Sequence, residues 1–117
     1  MTPKRIIIDT DPGIDDALAI LLALASPEIK LEGLTVVHGN CSMEQGAHNA
    51  LALLELAGAS HIPVAKGCEL PLVQPSLLAP ETHGNTGLGY ANLPEPGSRP
   101  IVQHGSDFLI EKIMSSP

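Results

Sequence analysis

Apolar and polar positions along residues 5–65 alternate between two periods. Arg5 to Asp9 holds Ile6-Ile7-Ile8, a short, β-branched, uninterrupted run of the kind expected in a strand buried on both faces. Pro12-Gly13 breaks that run with turn chemistry. From Asp16 to Ala25 the period changes: Ala17, Leu18, Leu21, Leu22 and Ala25 recur at helical spacing, and Ser26-Pro27 stops the helix. Leu31 to Val37 predicts a second strand, with Leu34, Val36 and Val37 as its apolar content and His38-Gly39-Asn40 as its end. Ser42 is placed to cap a second helix, with Gln45 at capping-box spacing. That helix runs to about Ala57 with Ala47, Ala50, Leu51, Leu54 and Ala57 on one face, and Gly58 closes it. Ile62 to Ala65 fits a short third strand.

Strand, helix, strand, helix, strand is the rhythm of a parallel sheet with right-handed crossovers. The pattern alone therefore predicts an α/β fold: an open, mostly parallel, Rossmann-like sheet with flanking helices. No internal repeat is visible. Gly67 to Pro100 is different in character, with six prolines, five glycines and no periodicity. Loops of that length are usually functional or disordered. Ser106 to Met114 returns to helical spacing, with Ser106 as cap, Asp107 in the first turn, and Phe108, Leu109, Ile110 and Ile113 on the apolar face. A helix in this rhythm leads into another strand, and none follows, so the fold is expected to be incomplete at the carboxyl end.

Composition narrows the picture. The 117 residues suffice for one domain with a real core. With one Phe, one Tyr and no Trp, that core must be aliphatic and Ala-rich. Six basic residues against thirteen acidic give a formal charge of −7, which argues against a nucleic-acid partner. Cys41 and Cys68 form no close pair and suggest two reduced thiols in a cytoplasmic protein. The apolar run after Lys4-Arg5 is too short for a signal peptide, and no stretch approaches the roughly 20 apolar residues of a membrane span.

The chemistry concentrates in Asp9, Asp11, Asp15 and Asp16, four carboxylates within eight residues at the carboxyl end of the first strand. Ligands bind at that end in open α/β sheets. Two full charges about 5 Å apart repel by roughly 3 kcal/mol at an effective dielectric of about 20. A helix amino terminus offsets less than about 1 kcal/mol per group. A divalent cation would offset far more, and an oxygen-only donor set points to Ca²⁺ or Mg²⁺, not zinc. The bland alternative is that Asp15 or Asp16 caps the helix while the rest are solvated.

Asp9-Thr10-Asp11-Pro12-Gly13-Ile14-Asp15-Asp16-Ala17 resembles the amino-terminal signature of the nucleoside hydrolases, the inosine–uridine-preferring N-ribohydrolases. The resemblance continues through Thr35-Val36-Val37-His38-Gly39-Asn40, Asn49-Ala50 and His83-Gly84-Asn85-Thr86-Gly87. It implies Ca²⁺-dependent hydrolysis of the bond between nucleobase and ribose, through a transition state like a ribosyl oxocarbenium ion. It also implies that residues 1–117 are the amino-terminal part of a single, longer α/β domain, that 67–100 is a loop region at the active-site mouth, and that the enzyme is a homo-oligomer. Position by position, Asp11 resembles the general base and lies against the metal, and Asp16 resembles a main metal ligand. Asp15 matches the acceptor for a ribose hydroxyl. Asn40 is placed to hold ribose or the attacking water. His83 either touches the base or steadies the catalytic Asp, the plain alternative being an exposed loop histidine. Asp9 is expected to orient its neighbours. Further metal ligands and the leaving-group acid are implied to lie beyond this stretch.

Other readings fit less well. A haloacid-dehalogenase-type phosphatase would also place Asp-x-Asp after a first strand, as Asp9-Thr10-Asp11 does, but favours Thr or Val where Gly13 stands and has no use for Asp15-Asp16. An EF-hand counted from Asp9 would need acids where Gly13 and Ile20 stand. The non-enzymatic alternative is an inactive cation- or ribose-binding module, or a fragment that self-associates through its open sheet edge. His38 is expected to pack beneath the site, and His48, His61 and His104 to be surface or capping residues.

Overall fold

The computed structural model describes residues 2–73, 75, 77–89 and 91–116. Its elements follow in the order β1 (Lys4–Thr10), α1 (Ile14–Ala25), β2 (Ile29–Val36), α2 (Met43–Leu56), β3 (Val64–Lys66), α3 (Pro80–His83) and α4 (Gly105–Ser115). The three strands form one parallel sheet in the order β1-β2-β3. This is the α/β architecture expected from the alternating periods. Pairing continues past the strand ends: Val37 donates to the Thr10 carbonyl at 3.0 Å and Gly67 to that of Val36 at 2.7 Å. All three carboxyl ends therefore open at one pole.

Sequence and structure differ over which strand is central. The Ile6-Ile7-Ile8 run predicts a strand covered on both faces, yet all three residues are only half-buried. β1 lies at the end of the sheet order, and no strand pairs with its outer side among the described residues. β2 is the central strand, with Leu34, Thr35 and Val36 fully buried. Its alternate residues face opposite layers. Leu34 and Val36 join Ile20 of α1 and Ala47, Ala50, Leu51 and Leu54 of α2 in an aliphatic core. Phe108 of α4 lies against Gly33, on the other face.

Gly33 interrupts an otherwise apolar strand because that ring leaves no space. A Cβ there would lie 2.5 Å from Phe108 Cζ and 2.9 Å from Cε2. The β1–β2 register also shifts at this point, between Ile6 and Ile7.

Helix boundaries differ in ways that have identifiable causes. α1 begins at Ile14, two residues before the expected start, so neither Asp15 nor Asp16 is its cap; Gly13 is, in extended geometry. α2 starts as expected, with Ser42 Oγ accepting from Gln45 N at 3.2 Å, but the Gln45 side chain turns to Asn49 instead of back to the cap. β3 begins at Val64 and not Ile62. α4 is capped by His104, whose Nδ1 accepts from Ser106 N at 3.1 Å, and not by Ser106. The expected loop region 67–100 contains the short α3, and Gln74, Ser76 and Tyr90 within it lie outside the described residues. Ile101 then rejoins the sheet, donating to Val64 O at 2.9 Å. Among the described residues no helix is long and apolar enough to cross a membrane.

Gly33→Ala forces the Phe108 ring off the sheet and is expected to cost about 1–3 kcal/mol of stability. Urea unfolding of the full-length gene product measures it; an unchanged midpoint would show that α4 docks without that contact.

Candidate active site at the carboxyl end of β1

β1 ends at Thr10, and Pro12-Gly13 turns the chain directly into α1. Asp11 sits on this turn, and Asp15 and Asp16 follow in the first turn of the helix. Opposite, β2 ends at Val36 and runs into His38-Gly39-Asn40. The parallel register pairs Thr10 with Val36 and so sets the two turns side by side.

Asn40 joins them through three donors. Its backbone N–H donates to Asp11 Oδ2 at 3.3 Å. Its Nδ2 donates to the Asp11 carbonyl at 2.8 Å and to Asp16 Oδ2 at 3.3 Å. Both amide hydrogens are thereby engaged. Gly39 supplies the notch for Asp11: a Cβ at Gly39 would overlap the Asp11 carboxyl, lying 2.6 Å from its Cγ. Asp16 also accepts from Gly13 N at 3.2 Å, closing the helix start.

Burial pushes the Asp16 carboxyl above the usual carboxylate range, the Gly13 N–H opposes that, and the charges of Asp11 and Asp15 add to the rise. Asp11 also lies within hydrogen-bonding reach of Asp16. The two carboxyls thus share one small, partly desolvated space. Asp15 is exposed. Asp9 is engaged elsewhere, accepting from the Thr35 hydroxyl at 2.5 Å.

His83 arrives from α3, 69 residues along the chain, and caps α1. Its Nδ1 accepts from Ile14 N at 3.0 Å, which places the ring proton on Nε2. It stands beside Asn40: a Cβ at Gly13 would lie 2.6 Å from both Asn40 Nδ2 and His83 Nδ1. His83 is half-buried, and its bond to Ile14 N is solvent-exposed. His38 Nε2 and Thr10 Oγ1 are buried without a hydrogen-bond partner among the described residues. Cys41 packs below the turn, its Sγ donating to Pro12 O at 3.6 Å; burial first, then Asp11 and Asp16, push its thiol up.

Sequence reasoning met two contributors only as members of the matched motifs and gave them no role. Thr35 holds Asp9, and Asn49 donates to Thr86 O at 2.6 Å and Pro12 O at 3.5 Å. The signal for Asn49 was an amide buried in an apolar helix; nothing local named its partners.

The donor set has the chemistry a hard divalent cation takes: two close carboxylates, one of them pushed toward protonation by burial first and then by the charges beside it. No group of three or more His, Cys, Asp or Glu side chains placed to hold a metal occurs among the described residues. Calcium takes about six to eight oxygens, so Asp11 and Asp16 would supply only part of such a shell.

An open parallel sheet with acids gathered at its carboxyl pole defines an α/β protein, of the kind that binds ligands at the strand ends. Comparison with known proteins gives the family. The family model for inosine-uridine preferring nucleoside hydrolases matches residues 6–117. A probable uridine nucleosidase 2 of Arabidopsis thaliana is 47% identical over 97% of this chain and 36% of its own length. The inosine-uridine preferring nucleoside hydrolase of Crithidia fasciculata is 40% identical over 97% of this chain and 36% of its own. The solved purine-preferring ribonucleoside hydrolase from Gardnerella vaginalis superposes with a TM-score of 0.90 at 36% identity, over 95% of this chain and 36% of that one. The chain belongs to the inosine-uridine preferring nucleoside hydrolase family, and it spans little more than a third of the length of these relatives.

Asp16→Asn tests the charge crowding. Folding raises the Asp16 pKa, so the cost of its charge is absent below the ordinary Asp value and grows as pH rises above it. With chelator at pH 7 the variant is expected to melt roughly 2 °C higher than wild type, and the gap closes toward pH 3. With Ca²⁺ added, wild type gains more than the variant. A variant that melts lower at every pH would show that the carboxylate is not a strained group.

Proposed function

We propose that this chain carries the water-activating and ribose-facing part of a calcium-dependent ribonucleoside hydrolase, which splits the N-glycosidic bond to free base and ribose. The observation behind this is the meeting of Asp11, Asp16 and Asn40 at the end of β1, where two carboxyls crowd one partly desolvated space. Residues 1–117 are the amino-terminal part of one α/β domain, and 67–100 form the loop region at its mouth. The anchoring of His83 on α1 and of Thr86 on Asn49 supports that placement of the loop.

Asp11 and Asp16 are the residues on this chain that would hold the ion. Bound there, a divalent cation supplies positive charge that attracts ribose hydroxyls and favours deprotonation of a nearby water. Asp11 is the general base: it takes the proton of the attacking water as the water oxygen bonds to the anomeric carbon and the bond to the base breaks. Asp15, exposed and free to reach outward, accepts a ribose hydroxyl. Asn40 has committed its side-chain donors to the Asp11 carbonyl and the Asp16 carboxylate, so its remaining acceptor is what it offers to ribose or water. His83, bound through Nδ1, presents Nε2–H to the substrate. Two free thiols, Cys41 and Cys68, are consistent with a cytoplasmic enzyme.

Ribose release from uridine and inosine by the full-length gene product tests the reading. Chelation abolishes release, Ca²⁺ restores it, and Asp11→Asn lowers kcat by about 10²–10⁴-fold. Residues 1–117 alone release almost none. Undiminished cleavage by Asp11→Asn would remove Asp11 from the role of base.

One observation favours a second reading for residues 1–117 in isolation. Leu18 and Leu22 of α1 are 65% and 68% exposed, and no strand pairs with the outer edge of β1 among the described residues. Such surfaces drive self-association, and the family enzyme is proposed to be a homo-oligomer. Gel filtration of purified residues 1–117 is expected to show species larger than a monomer; a monomer at micromolar concentration would discard this reading.

A further inference from the structure

We infer that Asn49 is a positioning residue: it clamps the Thr86–Gly87 backbone to the Pro12 turn and thereby fixes where His83 stands at the site. The substrate arm of this inference rests on the hydrolase reading above; the structural arm does not.

Asn49 is 2% exposed, on the face of α2 beneath the turn. A buried amide costs stability unless its hydrogen-bonding groups are satisfied. Here its Oδ1 accepts from Gln45 Nε2 at 2.9 Å, and the backbone carbonyls on its other side, which can only accept, fix which way the amide faces. Its Nδ2 then points at two carbonyls, Thr86 at 2.6 Å and Pro12 at 3.5 Å. The shorter bond goes to the loop, 37 residues away, so the amide does more than satisfy its own turn.

The loop is shaped to receive it. Gly87 has φ +89, and a Cβ there would lie 3.0 Å from Pro12 O, 3.1 Å from Asn49 Nδ2 and 3.1 Å from Cys41 Sγ. The slot admits backbone only. Residues 83–89 are also bonded to themselves: Gly87 N donates to Gly84 O at 3.2 Å and Gly89 N to His83 O at 2.7 Å. Displacing Thr86 therefore displaces His83. The direct tie of His83 to Ile14 is solvent-exposed, where water competes for it. The Asn49–Thr86 bond is short, part-buried and made by an amide that is itself 2% exposed, and it is the stronger restraint.

Asn49→Asp keeps the volume and the acceptor toward Gln45, and turns the donor pair into an acceptor facing two carbonyls. In the full-length gene product, amide exchange over residues 84–89 is expected to quicken about tenfold or more, with α2 unchanged. KM for uridine or inosine rises about tenfold, kcat falls less than about threefold, and calcium affinity stays within about twofold. Gly87→Ala attacks the same slot from the loop side and leaves the Asn49 amide itself in place, and is expected to give the same split; it decides the matter if Asn49→Asp does not fold. Wild-type exchange rates over 84–89 in either folded variant overturn the clamp. So does a joint fall of kcat and calcium affinity with KM unmoved, which would assign Asn49 to the acidic turn. If the wild-type protein releases no ribose, the hydrolase reading fails, and the exchange rates still decide the clamp.

Discussion

The site depends on one lateral tie, Asn40 to the Asp11 turn. Parallel pairing brings Thr10 beside Val36, but pairing alone only sets two loops near each other. Asn40 converts nearness into fixed geometry with one backbone and two side-chain donors. Gly39 makes this possible by having no side chain where the Asp11 carboxyl lies. Three bonds of long or moderate length, two of them to charged groups, are individually modest. Together they hold Asp11 and Asp16 at a spacing that their charges resist.

That resistance has a direction. Asp16 is destabilised by burial and by Asp11 and Asp15, and Gly13 N–H returns only part of the loss. A stretch selected for stability alone would not gather these groups, since neutral side chains of similar shape would fold with less strain. The same reasoning covers the helix cap. Gly13 has no side chain to cap α1, and the missing acceptor is supplied by His83 from a distant loop. A local Ser or Asp at residue 13 would cap the helix without the loop. It would also collide with Asn40 and His83, which occupy the space where its Cβ would sit. Helix start and loop position are thus one feature.

Most of the fold was legible because its signals are local. Helical spacing from Ala17 to Ala25 and the Ser42 cap lie within single elements, and so does the cluster of four acids. What the sequence hid is long-range. Whether Ile6-Ile7-Ile8 is central or at an edge depends on neighbours, and an apolar run looks the same in either place. Gly33 carries no sign that a Phe108 ring needs its space. His83 and Asn49 act across 69 and 37 residues, and no spacing rule connects them to the turn. His104 caps α4 with a ring nitrogen, a role the usual Ser, Thr, Asp or Asn rule assigns to Ser106 instead. The comparisons establish the family.

Sheet polarity explains why so few residues build so much of a site. All three strands run the same way, so each connection that leaves a carboxyl end emerges at the same pole: 11–13 after β1, 37–42 after β2, and the segment from Gly67 after β3. The first two contribute the acids and Asn40, and the third returns through α3 with His83. Among the described residues no strand pairs with the outer edge of β1, which ends beside Asp11. A further parallel strand laid there would, by the same polarity, deliver its own carboxyl-end loop next to the two carboxylates. An oxygen-seeking cation wants about six to eight ligands, and two carboxylates fall well short.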